Sequence, residues 1–417
     1  MPPSVEEHLF RREAGRIVSA LTRIFGVHNL ALAEDVTQDA LCRALEVWKL
    51  RGVPENPSAW LMMTAKNAAL DVLRRERTAR KFAPEFGRLL DSEWTLSPTV
   101  TEMFSAHEIS DDVLRMMFTC CHPKIAEEAQ IALILNILSG FGVSEIAHAF
   151  LSSHAAIEKR LQRAKHDLAE SKTLFDFGGE ADISVRLDAI HSAIYLLFNE
   201  GYHGSHPEET VRSELCREAL RLCDLLTRHE KTATPDTFAL GSLMCLHAAR
   251  MPARLNAAGD LNLLRDQDRS LWDTERIADG LRLLHLASDT KEISEYHVEA
   301  AITAEHATAP AFQDTHWGRI VELYETLFKI RPTPVVALQR AIAIAQRDGA
   351  ARGLEELAAI ENVDRLKQYP FFSAALGDFE LQLGKKERAL THFEDALRLS
   401  RNRAEARFFE LRIAACK

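Results

Sequence analysis

The chain has 417 residues, an apolar share of 47% and a net charge of −10. That length suits about two to four domains with ample core material, and the acidic balance excludes a protein coated in nucleic-acid-binding surface while leaving room for local basic patches. No apolar run approaches the ~18 residues of a membrane span, the first ten residues hold Glu6 and Glu7 and no apolar signal core, and a cytoplasmic protein with no membrane partner is expected.

Helical periodicity with polar breaks runs nearly end to end and strand signals are scarce, so the fold class is read as all-α. The periodicity predicts a first block at 1–81, a linker at 82–107, a second block at 108–175 and a helical extension over 183–417. Pro84, Gly87 and Pro98 mark the linker, and Gly178-Gly179 sits in a hinge at 173–182.

In the first block, the segment 33–41 (AEDVTQDAL) is followed by Arg43, Ala44 and Trp48. The segment 60–81 opens on Trp60-Leu61 and carries Leu61, Ala65, Ala68 and Val72 at i, i+4, i+7 and i+11, which predicts a buried helical stripe. Asn67, Asp71 and Arg74 share the adjacent face, with Arg75 beside them, and residues 66–81 carry a local charge of +4. An amide, a carboxylate and guanidinium groups on one surface can bond base edges and hold phosphates. Taken alone, such a face is more often plain solvated surface.

The second block contains FTCCHP at 118–123. Adjacent cysteines are poor partners for one tetrahedral ion, so Cys120 and Cys121 are read as buried at a helix end, with metal the weaker reading. The seven cysteines are irregularly spaced with no CxxC pair, and no disulfide framework is expected. Further on, 142–151 (GVSEIAHAFL) and 155–165 (AAIEKRLQRAK) flank Ser152-Ser153. This reads as a helix, a serine-capped turn and a second helix. Ile157, Leu161, Ala164 and Leu168 make its buried stripe, while Ala155, Lys159, Gln162, Arg163 and His166 face outward, with Arg160 at the border. That is the arrangement of a recognition helix in the major groove.

In the extension, Leu376, Gly377, Gly384, Ala389, Phe393 and Ala396 occupy the small and large positions of a tetratricopeptide-like hairpin. A second hairpin spans 337–357 with Gly349 in its turn; over 183–330, true repeats and an irregular helical array are equally compatible with the sequence. Asn199, Glu200, Tyr202, His203 and His206 form a polar cluster in which Glu200 could serve as a general base. No His-Glu-x-x-His, phosphate loop or nucleophile elbow accompanies it, and no cofactor motif is present. Helix-end and interdomain hydrogen bonding by Asn199, Glu200, Tyr202, Asp268 and Arg269 is the favoured reading.

The order of these motifs resembles extracytoplasmic-function (ECF) RNA polymerase sigma factors. The AED-x-x-Q-[ED]-A and WL-x-x-x-A-x-N-x-x-x-D-x-x-RR segments are those of sigma region 2, and EIA-x-x-[FL]-L with RL-x-RAK those of region 4. The resemblance implies that Asp35, Gln38, Asp39 and Arg43 contact the β′ clamp of core RNA polymerase. Asn67, Asp71, Arg74 and Arg75 would line the −10 surface, with the loop 49–58 near a flipped base. Ser153, Lys159, Arg160, Gln162 and Arg163 would bind the −35 element, with neighbouring residues on the β flap. Trp60 is read as core packing. Where common members have Gly-Thr-Val, this chain has Ala155-Ala156-Ile157, which puts the usual −35 sequence in doubt.

IYLLFNEGY at 194–202, QDRSLWD at 267–273, EAAI at 299–302 and PVVALQRA at 334–341 extend the likeness to a subfamily with a long helical extension, tetratricopeptide-like toward its end. The resemblance implies a non-enzyme whose extension modulates activity. The short hinge at Gly178-Gly179 leads to the expectation that the extension packs against regions 2 and 4 and controls their spacing, with a protein regulator as a further expected partner. The competing expectations are a helical scaffold that needs no polymerase and an enzyme housed in the extension.

Overall fold

A computed structural model describes residues 3–81, 112–150, 152–170, 180–203, 211–256, 259–361 and 363–417. The expected linker and most of the expected hinge, Gly178-Gly179 included, lie outside the described residues, as does His206. The described residues form helices, short 3-10 turns and one isolated bridge between Leu255 and Leu261, with no strand among them. The all-α reading therefore holds. No described helix is long and apolar enough to cross a membrane. The chain divides into two compact units, Met1–Leu197 and Phe198–Lys417.

The first unit opens with three helices, α1 (Pro3–Phe25), α2 (Leu30–Arg51) and α3 (Pro57–Lys81). They bury Ile17, Leu21, Leu30, Leu61 and Ala65 against one another. Next come α4 (Asp112–Cys120), α5 (Glu127–Leu133) with a π-turn at Ile134–Leu138, α6 (Val143–Ala149), α7 (His154–Glu170) and the first part of α8 (Glu180–Tyr202). Helix α1 serves both groups. At Gly15 it crosses the π-turn so closely that a Cβ would fall 2.2 Å from the Leu138 carbonyl oxygen, so only glycine fits. A π-turn shifts the carbonyl ladder by one residue, as the Ser139 N–H bond to Ile134 O shows, and it makes the groove α1 enters. Three ion pairs join the helix groups: Arg23 with Asp112 at 3.1 Å, Arg11 with Glu145 at 3.2 Å, and Lys165 with Glu34 at 2.6 Å.

One expectation needs correcting. The buried stripe of α3 is Leu61, Ala65, Ala69 and Leu73, each at most 6% exposed, while Ala68 and Val72 are only half-buried. The stripe follows the i, i+4 ridge, which drifts around the helix. Helices packed ridge into groove cross at an angle, so the contact line follows that drift rather than the helix axis.

The second unit continues with α9 (Ser213–Arg228), α10 (Pro235–Ala248), α11 (Thr274–Ala287), α12 (Glu295–Thr308), α13 (Trp317–Ile330), α14 (Pro334–Asp348), α15 (Ala350–Ala358), α16 (Pro370–Gln382), α17 (Lys386–Arg398) and α18 (Arg403–Cys416). Thr234 and Thr333 each cap a helix that begins with proline: the hydroxyls accept the N–H groups of Thr237 and Val336, and proline has no donor to leave unpaired. Helix α9 is amphipathic and buries Leu215, Ala219, Leu222 and Leu226 at i, i+4, i+7 and i+11.

The two hairpins read from the sequence are present. Gly349 turns α14 into α15 at φ 97°. Between α16 and α17, a Cβ on Gly377 would meet the Phe393 ring at 2.9 Å, so its absence lets the helices close around that fully buried phenyl group.

Candidate promoter and polymerase interfaces

Helix α2 buries Ala33, Val36, Thr37, Ala40, Ala44 and Trp48. That face fixes the other: Asp35, Gln38, Asp39 and Arg43 are all exposed. Glu34, on the flank, bonds Lys165 of α7.

On α3 the same periodicity exposes Asn67, Asp71, Arg74 and Arg75. Asp71 lies 3.7 Å from Arg74, an exposed pair of the kind worth little to stability. Its effect is to orient the guanidinium along the surface. The helix begins where the Asn56 side chain accepts the Ala59 N–H. Gly52 ends α2 at φ 81°, so Gly52–Asn56 forms a short loop that any other residue would strain. Trp60 is half-buried and meets Trp48 edge-on at 5.5 Å, and Phe10 completes the aromatic group at 5.6 Å from Trp48. Packing therefore holds Trp60. The sequence reading passed over Leu50, Val53 and Met63, which are 85%, 41% and 55% exposed near this loop. They are legible afterwards as apolar residues standing off both buried stripes.

Helices α6 and α7 are each capped at their start. The Glu145 carboxylate accepts the Gly142 N–H at 2.7 Å, and the Ser153 hydroxyl accepts the Ala156 N–H at 3.3 Å. Ile157, Leu161, Ala164 and Leu168 are buried, which turns Ser153, Lys159, Gln162 and Arg163 to solvent. Arg160 lies at the border: half-buried, it pairs with Glu128 at 2.9 Å and its guanidinium stands 5.9 Å from the Phe150 ring centre. So Lys159, Gln162 and Arg163 are presented outward, while Arg160 is committed to the fold.

Cys120 and Cys121 are buried at the end of α4. Burial first, then the neighbouring Glu34 charge, pushes the Cys120 thiol up to about 12, with Lys165 acting the other way. Such a thiol stays protonated and is a poor nucleophile.

The residues singled out in the extension separate. Glu200 stands 3.5 Å from Arg212, and the Asn199 carbonyl accepts the His203 N–H. Asp268 caps a 3-10 turn by accepting the N–H and hydroxyl of Ser270, the hydroxyl first in lowering its carboxyl below the ordinary value. Tyr202 and Arg269 instead join a buried cationic group whose other members, Arg250, Arg254, His247, Trp272 and His306, the sequence reading did not connect.

Comparison with known proteins finds two family models on the chain. Residues 9–79 match the model of sigma-70 region 2, and residues 186–288 match a family of unknown function, DUF6596. The chain belongs to the RNA polymerase sigma-factor family and has a sigma factor's role in transcription initiation. It is 30% identical to the RNA polymerase sigma factor CarQ of Myxococcus xanthus over 167 residues, 39% of this chain and 87% of that protein. It is also 38% identical to an uncharacterized protein of Rhizobium meliloti over 397 residues, 95% of this chain and 92% of that one. No solved structure matches.

Proposed function

We propose that the chain is a sigma factor of the extracytoplasmic-function class that directs core RNA polymerase to particular promoters, with the extension modulating its activity. The observation that carries this reading is the joint exposure of three polar faces on a helical frame: Asp35, Gln38, Asp39 and Arg43 on α2, Asn67, Asp71, Arg74 and Arg75 on α3, and Lys159, Gln162 and Arg163 on α7.

The α2 face docks on the β′ clamp of the polymerase. The α3 face engages the −10 element, with the Gly52–Asn56 loop beside an extruded base. Flipping a base costs a few kcal/mol of stacking, and the exposed Val53 and Met63 supply apolar surface to offset it. Helix α7 lies in the major groove at −35, where Gln162 and Arg163 reach base edges, Lys159 neutralises phosphate and Ser153 fixes the helix start. Arg160 contributes mainly by holding α7 to α5. The chain performs no chemistry itself; the polymerase does. The C-terminal hairpins are tetratricopeptide-like and offer a surface for a protein regulator.

Run-off transcription with purified core polymerase tests the reading, alongside co-purification of the full chain with core. Retention together with promoter-dependent transcripts is the expected result. A full chain, and a version ending after Lys172, that both fail to bind core would favour a helical scaffold instead.

A further inference from the structure

In the second unit, the ends of α8, α10 and α12 and the 3-10 turn Arg269–Leu271 gather cationic and hydrogen-bonding side chains into one buried group. Arg254, 9% exposed, lies over the Tyr202 ring, 3.8 Å from its centre. Arg250, 8% exposed, and Arg269 both lie over the Trp272 indole, at 5.5 and 4.4 Å. His247 stands 5.0 Å from Tyr202. The exposed His203 borders the group, its Nδ1 3.5 Å from Arg254.

Charge and donors are in excess here. Among the described residues, no carboxylate forms an ion pair with Arg250, Arg254 or Arg269; Asp314 acts on Arg269 only at longer range. Two carbonyls at the end of α12, those of His306 and Ala309, accept from Arg269 at 2.7 Å each, and a helix C-terminus is the negative end of its dipole. Arg250 has only the weak 3.4 Å bond to the Gln267 amide oxygen. Four buried donors have no acceptor in the protein: the Tyr202 hydroxyl, Arg254 Nε, Arg269 Nη2 and Trp272 Nε1. The Nδ1 atoms of His247 and His306 are also unpartnered. Burial, followed by the repulsion of Arg250 and Arg254, holds His247 well below its ordinary value. Burial, then Arg250 and Arg269, pushes His306 down to about 3.

A buried cation without a counter-charge and a buried donor without an acceptor are both costly. A fold keeps several together where a ligand supplies what is missing. Guanidinium forks match the planar oxygens of carboxylate and the oxygens of phosphate. We infer that the second unit holds a binding site for a small anion bearing a phosphoryl or carboxylate group, with Arg250, Arg254 and Arg269 as the charged clamp and Tyr202 and Trp272 as both wall and donors. Small size follows from enclosure, since Tyr202 is 1% and Trp272 5% exposed. The site does not rest on the promoter reading, because every residue lies in the second unit. All but His306 fall within the segment that matches the family of unknown function, residues 186–288.

The test is calorimetric titration and thermal unfolding of the full chain with inorganic phosphate and, separately, succinate, against chloride at matched ionic strength. Saturable binding of one equivalent with a raised Tm is expected; the probe that binds tells phosphoryl from carboxylate recognition. Arg250→Gln and Arg254→Gln should each weaken binding roughly tenfold or more. Without ligand, both should unfold at or above the wild-type temperature, because each removes like-charge repulsion; a purely structural arginine would lower it. Arg254→Lys should keep partial binding, and Arg228→Gln, at an exposed pair with Asp224, should bind as the wild type does. Failure of both probes to bind the wild type saturably overturns the inference, as does undiminished binding by both glutamine variants.

Discussion

Arginine is used in opposite ways in the two units. On α3 and α7 of the first unit, Arg74 and Arg163 stand in solvent, where water hydrates the charge and the fold gains almost nothing from it. In the second unit Arg250 and Arg254 are nine-tenths buried among aromatic rings and other cations, where the fold bears the cost of their charge. An exposed cation reports on a partner by standing where one can reach it, while a buried cation without a counter-charge reports on a ligand by what it lacks.

The largest expected effect comes from the ring shared by Arg250 and Arg269. Trp272→Ala should destabilise the protein by about 3–5 kcal/mol, read as a fall in the urea midpoint. A loss under 1 kcal/mol would mean that the indole does not organise the cluster. Next come the exposed arginines. Arg74→Ala and Arg163→Ala should each lose about 1–3 kcal/mol of promoter discrimination in run-off transcription, keep core-polymerase binding, and shift stability by less than about 0.5 kcal/mol. Full transcription from both variants would remove these residues from the promoter faces.

Acidification separates the units by a smaller increment. His247 and His306 are held neutral, their folded values below the ordinary 6.5. The unfolded chain therefore binds more protons than the folded one below pH 6.5. The stability they confer is complete above that pH and lost as pH falls toward about 3 for His306, by at most about 1.4 kcal/mol per pH unit for each histidine. His306→Gln should flatten the fall in Tm between neutral and mildly acid pH; an unchanged slope would contradict the placement. The smallest effect belongs to the ion pair between α2 and α7. Lys165→Met should cost about 1 kcal/mol or less, seen as a slight drop in Tm.

Much of the polar face proposed to meet promoter DNA was legible because helical periodicity decides exposure. Once Ile157, Leu161 and Leu168 are placed inward, Lys159, Gln162 and Arg163 can only point outward. The same reasoning exposed Asn67 and Arg74, and it slipped on Ala68 and Val72, since the line of contact depends on the angle of the neighbouring helix. Arg160 was rightly put at the border of its face, yet its partner Glu128, 32 residues earlier in the chain, could not be read from the sequence.

Local spacing of residues was enough for the all-helical fold, the capped turn before α7, the hairpins at Gly349 and Gly377, and the polar faces of α2, α3 and α7. Each of these follows from side chains within about one helical turn or one hairpin of one another, where spacing sets geometry. Long-range packing was needed to make two helix groups share α1 over Gly15, and to bring Tyr202, His247, Arg250, Arg254, Arg269, Trp272 and His306 together. Those residues come from four separate segments, each unremarkable alone. Their charge imbalance exists only when packing removes them together from water, and no local pattern encodes that.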